Sequence, residues 1–291
     1  MDPLWSAPIA AWDAPVDLPI AATALTSLEA GAVVFLPDLG FRPLPDEAAL
    51  FTPAILGTAK NASFDPASGR LGGTTAKGVD AAKLREMIAR FSMGAATLVD
   101  RIFPRYRGRL ARGRASFRPA EIAGRQTTWR KDDTRLHVDS FPATPTGGRR
   151  ILRVFANVNP DGRPRAWRVG DDFDAVARRF AERLRVPLPG SGHLLALVRV
   201  TRSPRTAYDA LMLQLHDRMK EDEAFQRESP QHAIDFPAGS TWVAFTDQVS
   251  HAAMSGQYQL EQTFLLPIDA MAEPDRAPLR ILERIKNRAL I

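Results

Sequence analysis

The second half of the chain alternates between short strands and Gly/Pro turns, and this pattern constrains the fold more than any other feature. Ile234–Phe236, Pro237–Ser240 and Thr241–Phe245 have the composition of a strand, a tight turn and a second strand. Ile151–Val158 is another predicted strand, closed by an Asn-Pro-Asp-Gly turn, and Gln259–Leu266 is a further one. Short strands with such turns predict a β-sandwich or a jelly-roll barrel.

Amphipathic helices precede and interrupt these strands. Apolar residues recur at three- and four-residue steps along Val79–Phe103, which is the clearest helix of the sequence. Asp171–Leu184 and Thr206–Lys220 are two more amphipathic helices, and Leu194–Val200 is a short apolar strand between them. The fold class that these patterns predict is a β-rich α+β protein with N-terminal and inserted helices.

The length and composition indicate one catalytic core. The 291 residues divide into a mixed N-terminal region (1–125), a strand-rich core with helical inserts (126–267) and a basic C-terminal helix (268–291), which we expect to form one compact unit. The absence of cysteine excludes disulfides, cysteine-ligated metals and a cysteine nucleophile. We find neither a secretory signal nor an apolar run of the ~20 residues that a membrane span needs, so we expect a cytoplasmic protein.

Three residues form a candidate metal site. In an extended strand His137 and Asp139 point to the same face, because side chains alternate. His251 directly follows the strand–turn–strand unit, and in a jelly roll a late strand returns beside an early one. Two histidines and one carboxylate are the facial triad of non-haem iron(II) oxygenases. The competing interpretation is that all three are ordinary hydrogen-bonded polar groups.

The residues around this triad resemble a known family. The order of a His-x-Asp pair, a long insert, a Phe-Pro-Ala-Gly-Ser turn and a distal histidine is similar to that of iron(II)/2-oxoglutarate dioxygenases generally. Leu136–Pro142, Gly148–Pro160 and Ser250–Gln257 resemble the Kdo hydroxylase family in particular, and the resemblance extends over about residues 25–285. It implies a double-stranded β-helix (jelly-roll) core that hydroxylates the 3-position of 3-deoxy-D-manno-oct-2-ulosonic acid (Kdo) in lipopolysaccharide, with iron(II), 2-oxoglutarate and dioxygen.

The cosubstrate residues are harder to assign. Many such oxygenases place an arginine in the strand after the distal histidine, but Gln259–Phe264 contains no cation. We therefore nominate Arg153, with Asn157 on the same strand face and Gln262 in the later strand, as ligands of 2-oxoglutarate. A structural or surface ion pair is the alternative role of Arg153. The candidate substrate contacts are Arg149, Arg150 and His216.

Other polar groups are expected to have no catalytic role. His193 falls in a predicted loop, His232 precedes a strand, and Asp132-Asp133 lies in a charged loop where both carboxylates would be solvated. No residue beyond the metal ligands is predicted to be catalytic.

The charge pattern bears on partners. The formal net charge is +6, and the basic residues, mostly Arg, are dense in Arg101–Arg118 and in the tail Arg280–Arg288. One explanation for the excess of Arg is a GC-rich coding sequence. The other is a surface that binds carboxylates or phosphates. Leu279, Leu282 and Ile285 would form an apolar stripe that either lies on an anionic membrane, with the enzyme peripheral to the inner membrane, or packs onto the barrel.

Two rival functions stay open beside hydroxylation of Kdo-lipid A. One is a 2-oxoglutarate oxygenase that acts on another acidic sugar or lipid. The other is a non-catalytic jelly roll that binds anionic ligands. Nucleic acid is not expected as a partner, because the arginine-rich segment lacks the interleaved aromatic residues that stack on bases. The sequence leaves the oligomeric state open.

Overall fold

Two β-sheets form the centre of the molecule. The computed structural model describes residues 2–291 except 189, 191, 193–195 and 198. In the larger sheet the strands lie in the order β1-β2-β9-β6-β11-β5-β3-β4, and in the smaller the order is β10-β7-β8. The strands are β1 (Leu4–Ser6), β2 (Val33–Leu36), β3 (Ala62–Asp65), β4 (Arg70–Gly72), β5 (Ala111–Arg118), β6 (Arg150–Asn157), β7 (Arg165–Val169), β8 (His232–Phe236), β9 (Thr241–Phe245), β10 (His251–Ser255) and β11 (Gln259–Leu266).

The helices lie on the outer faces of the two sheets. In the described part of the chain the complete α-helices are α1 (Leu18–Glu29), α2 (Gly78–Ile102), α3 (Phe173–Phe180), α4 (Ala207–Glu221), α5 (Glu223–Glu228) and α6 (Pro278–Lys286). The predicted long helix and the two inserted helices are confirmed to within a few residues. Of the strand predicted at Leu194–Val200, residues 194, 195 and 198 lie outside the described residues. Ala196 and Leu197 are helical, and Arg199 and Val200 form a turn and a bend, so the prediction is wrong for the described part.

Alternation along β6 explains how the larger sheet separates a core from a site. Leu152, Val154 and Ala156 point to one face and join the core formed with α1 and α2. Arg153 and Phe155 point to the other face, toward the smaller sheet. Strand β6 therefore has one apolar face, which the helices cover, and one face with polar and apolar side chains, which borders the space between the sheets.

The space between the two sheets is apolar at one end. Phe155, Trp167, Phe236 and Trp242 meet there, and the rings of Phe236 and Trp242 stack with centroids 4.1 Å apart. Each such aromatic side chain removes a large apolar area from water, which stabilises the apposition of the sheets. Two facing sheets closed by this core confirm the predicted jelly roll.

The N-terminal region is part of the barrel and does not form a separate layer. Strands β1 to β5 all belong to the larger sheet, and β5 pairs with β11 along most of its length. The predicted boundary near residue 125 therefore corresponds to no break in the sheet. Long-range pairing of this kind leaves no trace in local sequence patterns, because the partner strand β11 begins more than 100 residues after β5.

The C-terminal helix packs onto the smaller sheet's helical layer. Leu279, Ile281 and Leu282 of α6 are buried in a core with α3 and α4, and Lys286 Nζ donates to the carbonyl of Leu184 (2.9 Å). The apolar stripe is therefore covered by the protein itself, which confirms the alternative in which it packs onto the protein and excludes the one in which it lies on a membrane. Among the described residues no helix is both long and apolar enough to cross a bilayer.

Candidate active site

Backbone pairing brings His137, Asp139 and His251 together. The N–H of His137 donates to the carbonyl of His251 (3.0 Å), the N–H of His251 returns the bond to His137 (2.9 Å), and the N–H of Asp139 donates to Thr246 (2.7 Å). The His137 segment forms an isolated bridge to β10 and not the full strand that we predicted. Its extended backbone still places residues 137 and 139 on one side. One potential ligand atom from each of the three residues lies within 4.8 Å of the other two.

Hydrogen bonds to the ring nitrogens fix how both histidines can bind a cation. Nδ1 of His137 lies 2.8 Å from the carbonyl oxygen of Arg135, and Nδ1 of His251 lies 2.8 Å from that of Val249. A carbonyl only accepts, so each Nδ1 carries the proton and each Nε2 keeps a free lone pair. Nε2 of His137 lies 3.9 Å from Asp139 Oδ1, so the unprotonated nitrogen and the carboxylate are near enough to bind the same cation.

The protonation states of the triad suit a metal. Burial lowers the pKa of His137 well below its usual range, and the neighbouring His251 lowers it further. Burial also lowers the pKa of His251. Burial by itself would raise the pKa of Asp139, but Arg153 and the two histidines outweigh it and leave the pKa below its ordinary value. Two neutral imidazoles and one carboxylate are therefore available at neutral pH without losing a proton first.

A cavity of about 120 Å³ lies beside the triad, between the sheets. Several polar atoms in its lining are buried and have no hydrogen-bond partner among the described residues: Asp139 Oδ2, Arg153 Nε, Arg165 Nε, Trp167 Nε1 and Gln259 Oε1. Leaving a buried polar group unpaired costs about 1–3 kcal/mol. Such a concentration of unpaired groups in one cavity is typical of a ligand site.

Arg165 and Trp167 are cavity residues that the sequence did not reveal. They project from β7 two residues apart, and the Trp167 ring lies against His251 with centroids 5.0 Å apart and planes at 21°. Arg165 donates to the carbonyl of Gly256 (2.7 Å), and no carboxylate of the described residues lies within ion-pair distance of it. Burial lowers the pKa of Arg165 to about 9, and the charge of Arg118 adds to this effect. The alternation Arg-x-Trp-x-Val after the Asn-Pro-Asp-Gly turn is the sequence signal that would have found them.

Arg153 lines the cavity, as the sequence predicted, but two carboxylates already neighbour it. Its Nε lies 3.3 Å from Asp139 Oδ2, an ion-pair distance without hydrogen-bond geometry, and its Nη1 lies 3.6 Å from Glu261 Oε2. Glu261 is also held by the two-pronged guanidinium of Arg118, at 3.0 and 3.1 Å, and by the hydroxyl of Ser116. This carboxylate anchors two cavity arginines at once.

The structure places Asn157 and Gln262 away from the cavity, which corrects both assignments. The amide of Asn157 donates to the carbonyls of Arg163 and Phe236, so it closes the turn at the end of β6. The amide of Gln262 donates to the carbonyls of Gly113 and Thr263, on the helix-covered face of β11. Because side chains alternate along β11, Glu261 faces the cavity and its neighbour Gln262 does not.

Arg149 and Arg150 do not reach the cavity either, so the prediction that they contact substrate is wrong. Arg150 has the opposite parity to Arg153 on β6 and is completely buried. Its guanidinium bonds Asp247 and Gln248 and lies 3.8 Å from the centroid of the Phe245 ring. Arg149 Nε donates to the carbonyl of Thr146 (2.8 Å). These are structural contacts.

The remaining nominated groups have mixed outcomes. His216 is mostly buried with its ring edge against His137, at a centroid separation of 5.1 Å, and its Nδ1 lies 2.8 Å from the carbonyl of Val138. His232 is exposed on β8, and His193 lies outside the described residues. Asp133, expected to be solvated, lines the cavity and accepts hydrogen bonds from Lys60 at 3.2 and 3.3 Å.

The donor set and the charges of the cavity fit a divalent metal with a dianion. Two imidazole nitrogens and one carboxylate suit iron(II), and they leave positions for other ligands. The lining contains three arginines (Arg118, Arg153, Arg165) and three acids (Asp133, Asp139, Glu261), whose charges cancel. A bound divalent cation would leave two positive charges in a buried space, and a dicarboxylate would balance them.

Comparisons with known proteins agree with this site. A family model described as 3-deoxy-D-manno-oct-2-ulosonic acid (Kdo) hydroxylase matches residues 11–289. A crystal structure of the Kdo hydroxylase KdoO, a non-heme Fe(II) α-ketoglutarate (2-oxoglutarate)-dependent dioxygenase, with α-ketoglutarate and Fe(III) superposes with a TM-score of 0.96. It shares 44% identity over 100% of this chain and 98% of that one.

Two further structures of that enzyme match equally well over the same shares of each chain. The cobalt(II) complex has 45% identity and a TM-score of 0.97, and the apo structure has 44% identity and a TM-score of 0.97. No curated protein matches the chain. The family model covers nearly the whole sequence. The sequence identity of 44–45% to the solved structures extends over the full length of this chain. This chain belongs to the Kdo hydroxylase family.

Proposed function

We propose that this chain is an iron(II)- and 2-oxoglutarate-dependent hydroxylase of C3 of Kdo in lipopolysaccharide, with His137, Asp139 and His251 as the metal ligands. The observation that carries the proposal is the convergence of two unprotonated imidazole nitrogens and a carboxylate beside a cavity of unpartnered donors. Membership of the family supplies the substrate class.

The protein's contribution to metal binding is to prepare the ligands. The carbonyls of Arg135 and Val249 hold the two imidazoles in one tautomer and one orientation. Arg153 stabilises Asp139 as a carboxylate. When bound there, iron supplies the redox chemistry by which dioxygen and 2-oxoglutarate are converted to a hydroxylated product, succinate and carbon dioxide.

Arg165, Trp167 and Arg153 would hold 2-oxoglutarate. The unpaired Nε of Arg165 and the indole N–H of Trp167 are the donors of this cavity that have no competing carboxylate partner. Arg153 adds a cation on the Asp139 side. A charge-assisted, two-pronged contact from Arg165 to the far carboxylate would orient the cosubstrate along the cavity. The apolar cluster behind Phe155 and Trp167 excludes water from this end.

The place of action that we propose is the cytoplasmic face of the inner membrane, where Kdo is linked to lipid A. Since the apolar stripe of α6 is buried, membrane attraction would come only from surface cations such as Arg280, Arg284 and Arg288. Each contributes about 1 kcal/mol near an anionic surface, and salt screens the attraction. The enzyme should sediment weakly with anionic vesicles at low salt and be released near physiological salt.

Activity on the lipid tests this function directly. The purified enzyme is incubated with iron(II), 2-oxoglutarate, dioxygen and Kdo-lipid A, and the lipid is analysed by mass spectrometry while succinate is measured. We expect a gain of one oxygen on the Kdo-bearing part, with one succinate formed for each oxygen added. Succinate formed without oxygen on that lipid would keep the oxygenase class and remove Kdo-lipid A as the acceptor, and a panel of acidic sugars would then be the next substrate set.

A further inference from the structure

A second and larger cleft adjoins the triad cavity. It has a volume of about 600 Å³ and shares Arg118, Arg153 and Glu261 with the smaller cavity, so these three side chains separate two adjoining spaces. Small-molecule sites commonly fall in the range of roughly 300–1,000 Å³. The cleft therefore offers room for an acceptor next to the metal ligands, while the buried cavity is the size of a compact cosubstrate.

The walls of the cleft come from two different parts of the fold. One wall is the inner face of three adjacent strands of the larger sheet, β3, β5 and β11. The other wall is the loop at Phe141–Thr144, which follows Asp139, together with Arg202. The loop is fastened to the Arg202 segment by the N–H of Arg202 donating to Ala143 (3.0 Å) and by Arg205 donating to the carbonyl of Pro142 (2.6 Å).

Arg114 faces this cleft from β5, beside a β-bulge. On β5, both Gly113 and Arg114 lie opposite the single residue Thr263 of β11. Arg114 lies on the cleft side with Ser116 and Arg118, as regular alternation requires. The extra residue reverses the alternation before that point, so Arg112 is not part of the lining. A Cβ on Gly113 would lie 3.1 Å from the carbonyl oxygen of Thr263, so glycine allows the close approach of the two strands at the bulge.

Two cations of the cleft form no ion pair with the described residues. Glu261 is engaged by Arg118 and Arg153. Arg114 and Arg202 are exposed, and their guanidinium groups form no ion pair or hydrogen bond with any described residue, although Asp65 is near enough to Arg114 to interact through space. The amide of Asn61 and the hydroxyl of Ser63, also in the lining, are likewise unbonded within the described part of the chain.

We infer that this cleft is the acceptor subsite and that Arg114 and Arg202 bind anionic groups of the acceptor from opposite walls, while Asn61 and Ser63 face its hydroxyls. The inference rests on the proposed function and adds the residues that select the substrate. Arginine binds carboxylate and phosphate through two parallel hydrogen bonds. The amide of Asn61 and the hydroxyl of Ser63 can each donate to and accept from a sugar hydroxyl. The shared ligand chemistry is an oxyanion on a polyhydroxylated sugar, either the sugar's own carboxylate or a phosphate of the lipid that carries it.

Kinetics with charge-matched variants test the inference. We compare Arg114→Gln, Arg202→Gln and their double variant with Arg112→Gln, which removes the same charge from the same strand outside the cleft. Each cleft variant should raise the KM for Kdo-lipid A by roughly 5- to 30-fold, the range for losing one partly exposed charged hydrogen bond. The KM for 2-oxoglutarate and the rate of succinate formation without acceptor should stay within about twofold of wild type, and Arg112→Gln should behave as wild type.

The same variants measured on Kdo-lipid A without its lipid phosphates identify the oxyanion. If the arginines bind phosphate, the difference between wild type and variants disappears with the dephosphorylated lipid, and if they bind the sugar carboxylate, it persists. Either result supports the subsite. Acceptor KM values for the two cleft variants that equal that of Arg112→Gln would overturn it.

Equilibrium binding of Kdo-lipid A to the iron-loaded enzyme without dioxygen separates this inference from the proposed function. Binding that depends on Arg114 and Arg202 but leads to no oxygenated lipid in air would keep the subsite and reject the function. Hydroxylation that proceeds although both Arg114 and Arg202 are dispensable for binding would keep the function and reject the subsite.

Discussion

The indole of Trp167 lies nearly flat on the imidazole of His251, with ring centroids 5.0 Å apart and an angle of 21° between the planes. One side chain of β7 thus both backs a candidate metal ligand and presents an unpaired N–H to the adjoining cavity. Trp167 therefore connects the candidate metal ligands to the cavity that we propose for 2-oxoglutarate. Its ring contact and its N–H can be removed separately by mutation.

Replacing Trp167 by Phe removes the N–H and keeps an aromatic ring against His251. We expect the KM for 2-oxoglutarate to rise about 5- to 20-fold, since one hydrogen bond to a charged group is lost. Metal affinity should change by less than about threefold, because the stacking partner of His251 remains. Unchanged 2-oxoglutarate kinetics would show that the indole N–H faces no ligand.

Arg165→Leu tests the main carboxylate partner. We expect the KM for 2-oxoglutarate to increase by about ten- to several-hundred-fold, corresponding to roughly 2–4 kcal/mol for one side of a buried charged pair. Arg153→Leu should have a smaller effect, because Arg153 already has two carboxylate neighbours. The matched control is Arg168→Leu, on the same strand with its side chain exposed. A larger effect at Arg153 than at Arg165 would reverse their roles.

Arg150→Met tests a purely structural assignment. It leaves Asp247 buried without its cation, so we expect the free energy of unfolding to fall by about 3–5 kcal/mol in urea titrations. Arg149→Met should change it by less than about 1 kcal/mol. Acceptor KM should be unaffected in both variants. A stable Arg150→Met enzyme with impaired acceptor binding would restore the substrate role that the sequence suggested.

Glu261 gives the stability a defined dependence on pH. Burial opposes its ionisation, but Arg118 and Arg153 outweigh this and lower the pKa of Glu261 below its ordinary value of 4.5. The unfolded chain therefore takes up the proton more readily, so this stabilisation is complete above about pH 4.5 and is lost as pH falls through the lower folded pKa.

Glu261→Gln should consequently be less stable than wild type by about 2–4 kcal/mol at pH 7, because the cavity arginines lose their carboxylate. The difference in the free energy of unfolding should shrink as pH falls below about 4.5, because wild type then loses the same contribution. Urea titrations across this range measure it. A difference that is constant from pH 7 to pH 3.5 would mean that Glu261 keeps its ordinary pKa in the folded protein.

The arrangement of the three candidate metal ligands could be predicted from sequence because it depends on local geometry. Any extended backbone puts residues 137 and 139 on one side, and a strand after a tight turn is a natural place for His251 to return. The strand boundaries of β11 and the helix α2 likewise follow from short-range patterns. These features need no knowledge of distant partners.

The cosubstrate residues could not be predicted in the same way, because alternation gives the two faces of a strand without saying which one is inside. On β11 the cavity face contains Glu261 and not Gln262, and on β6 only the pairing with β9 and β11 shows that Arg153 faces the cavity and Arg150 the opposite side. Strand β7 was missed because Arg165 and Arg168 interrupt its apolar pattern. The bulge at Arg114 depends on a register shift that no local pattern reveals.

Anomalous diffraction at the iron edge, from crystals grown anaerobically with iron(II) and 2-oxoglutarate, tests the assignment of the metal site most directly. We expect one strong peak per chain, bounded by Nε2 of His137, the carboxylate of Asp139 and Nε2 of His251, and no such peak in crystals of His137→Ala prepared identically. The variant should retain its fold, because the bridge to β10 is made by backbone atoms. A peak bound instead by His216, or one that persists in His137→Ala, would contradict the metal site on which the proposed function depends.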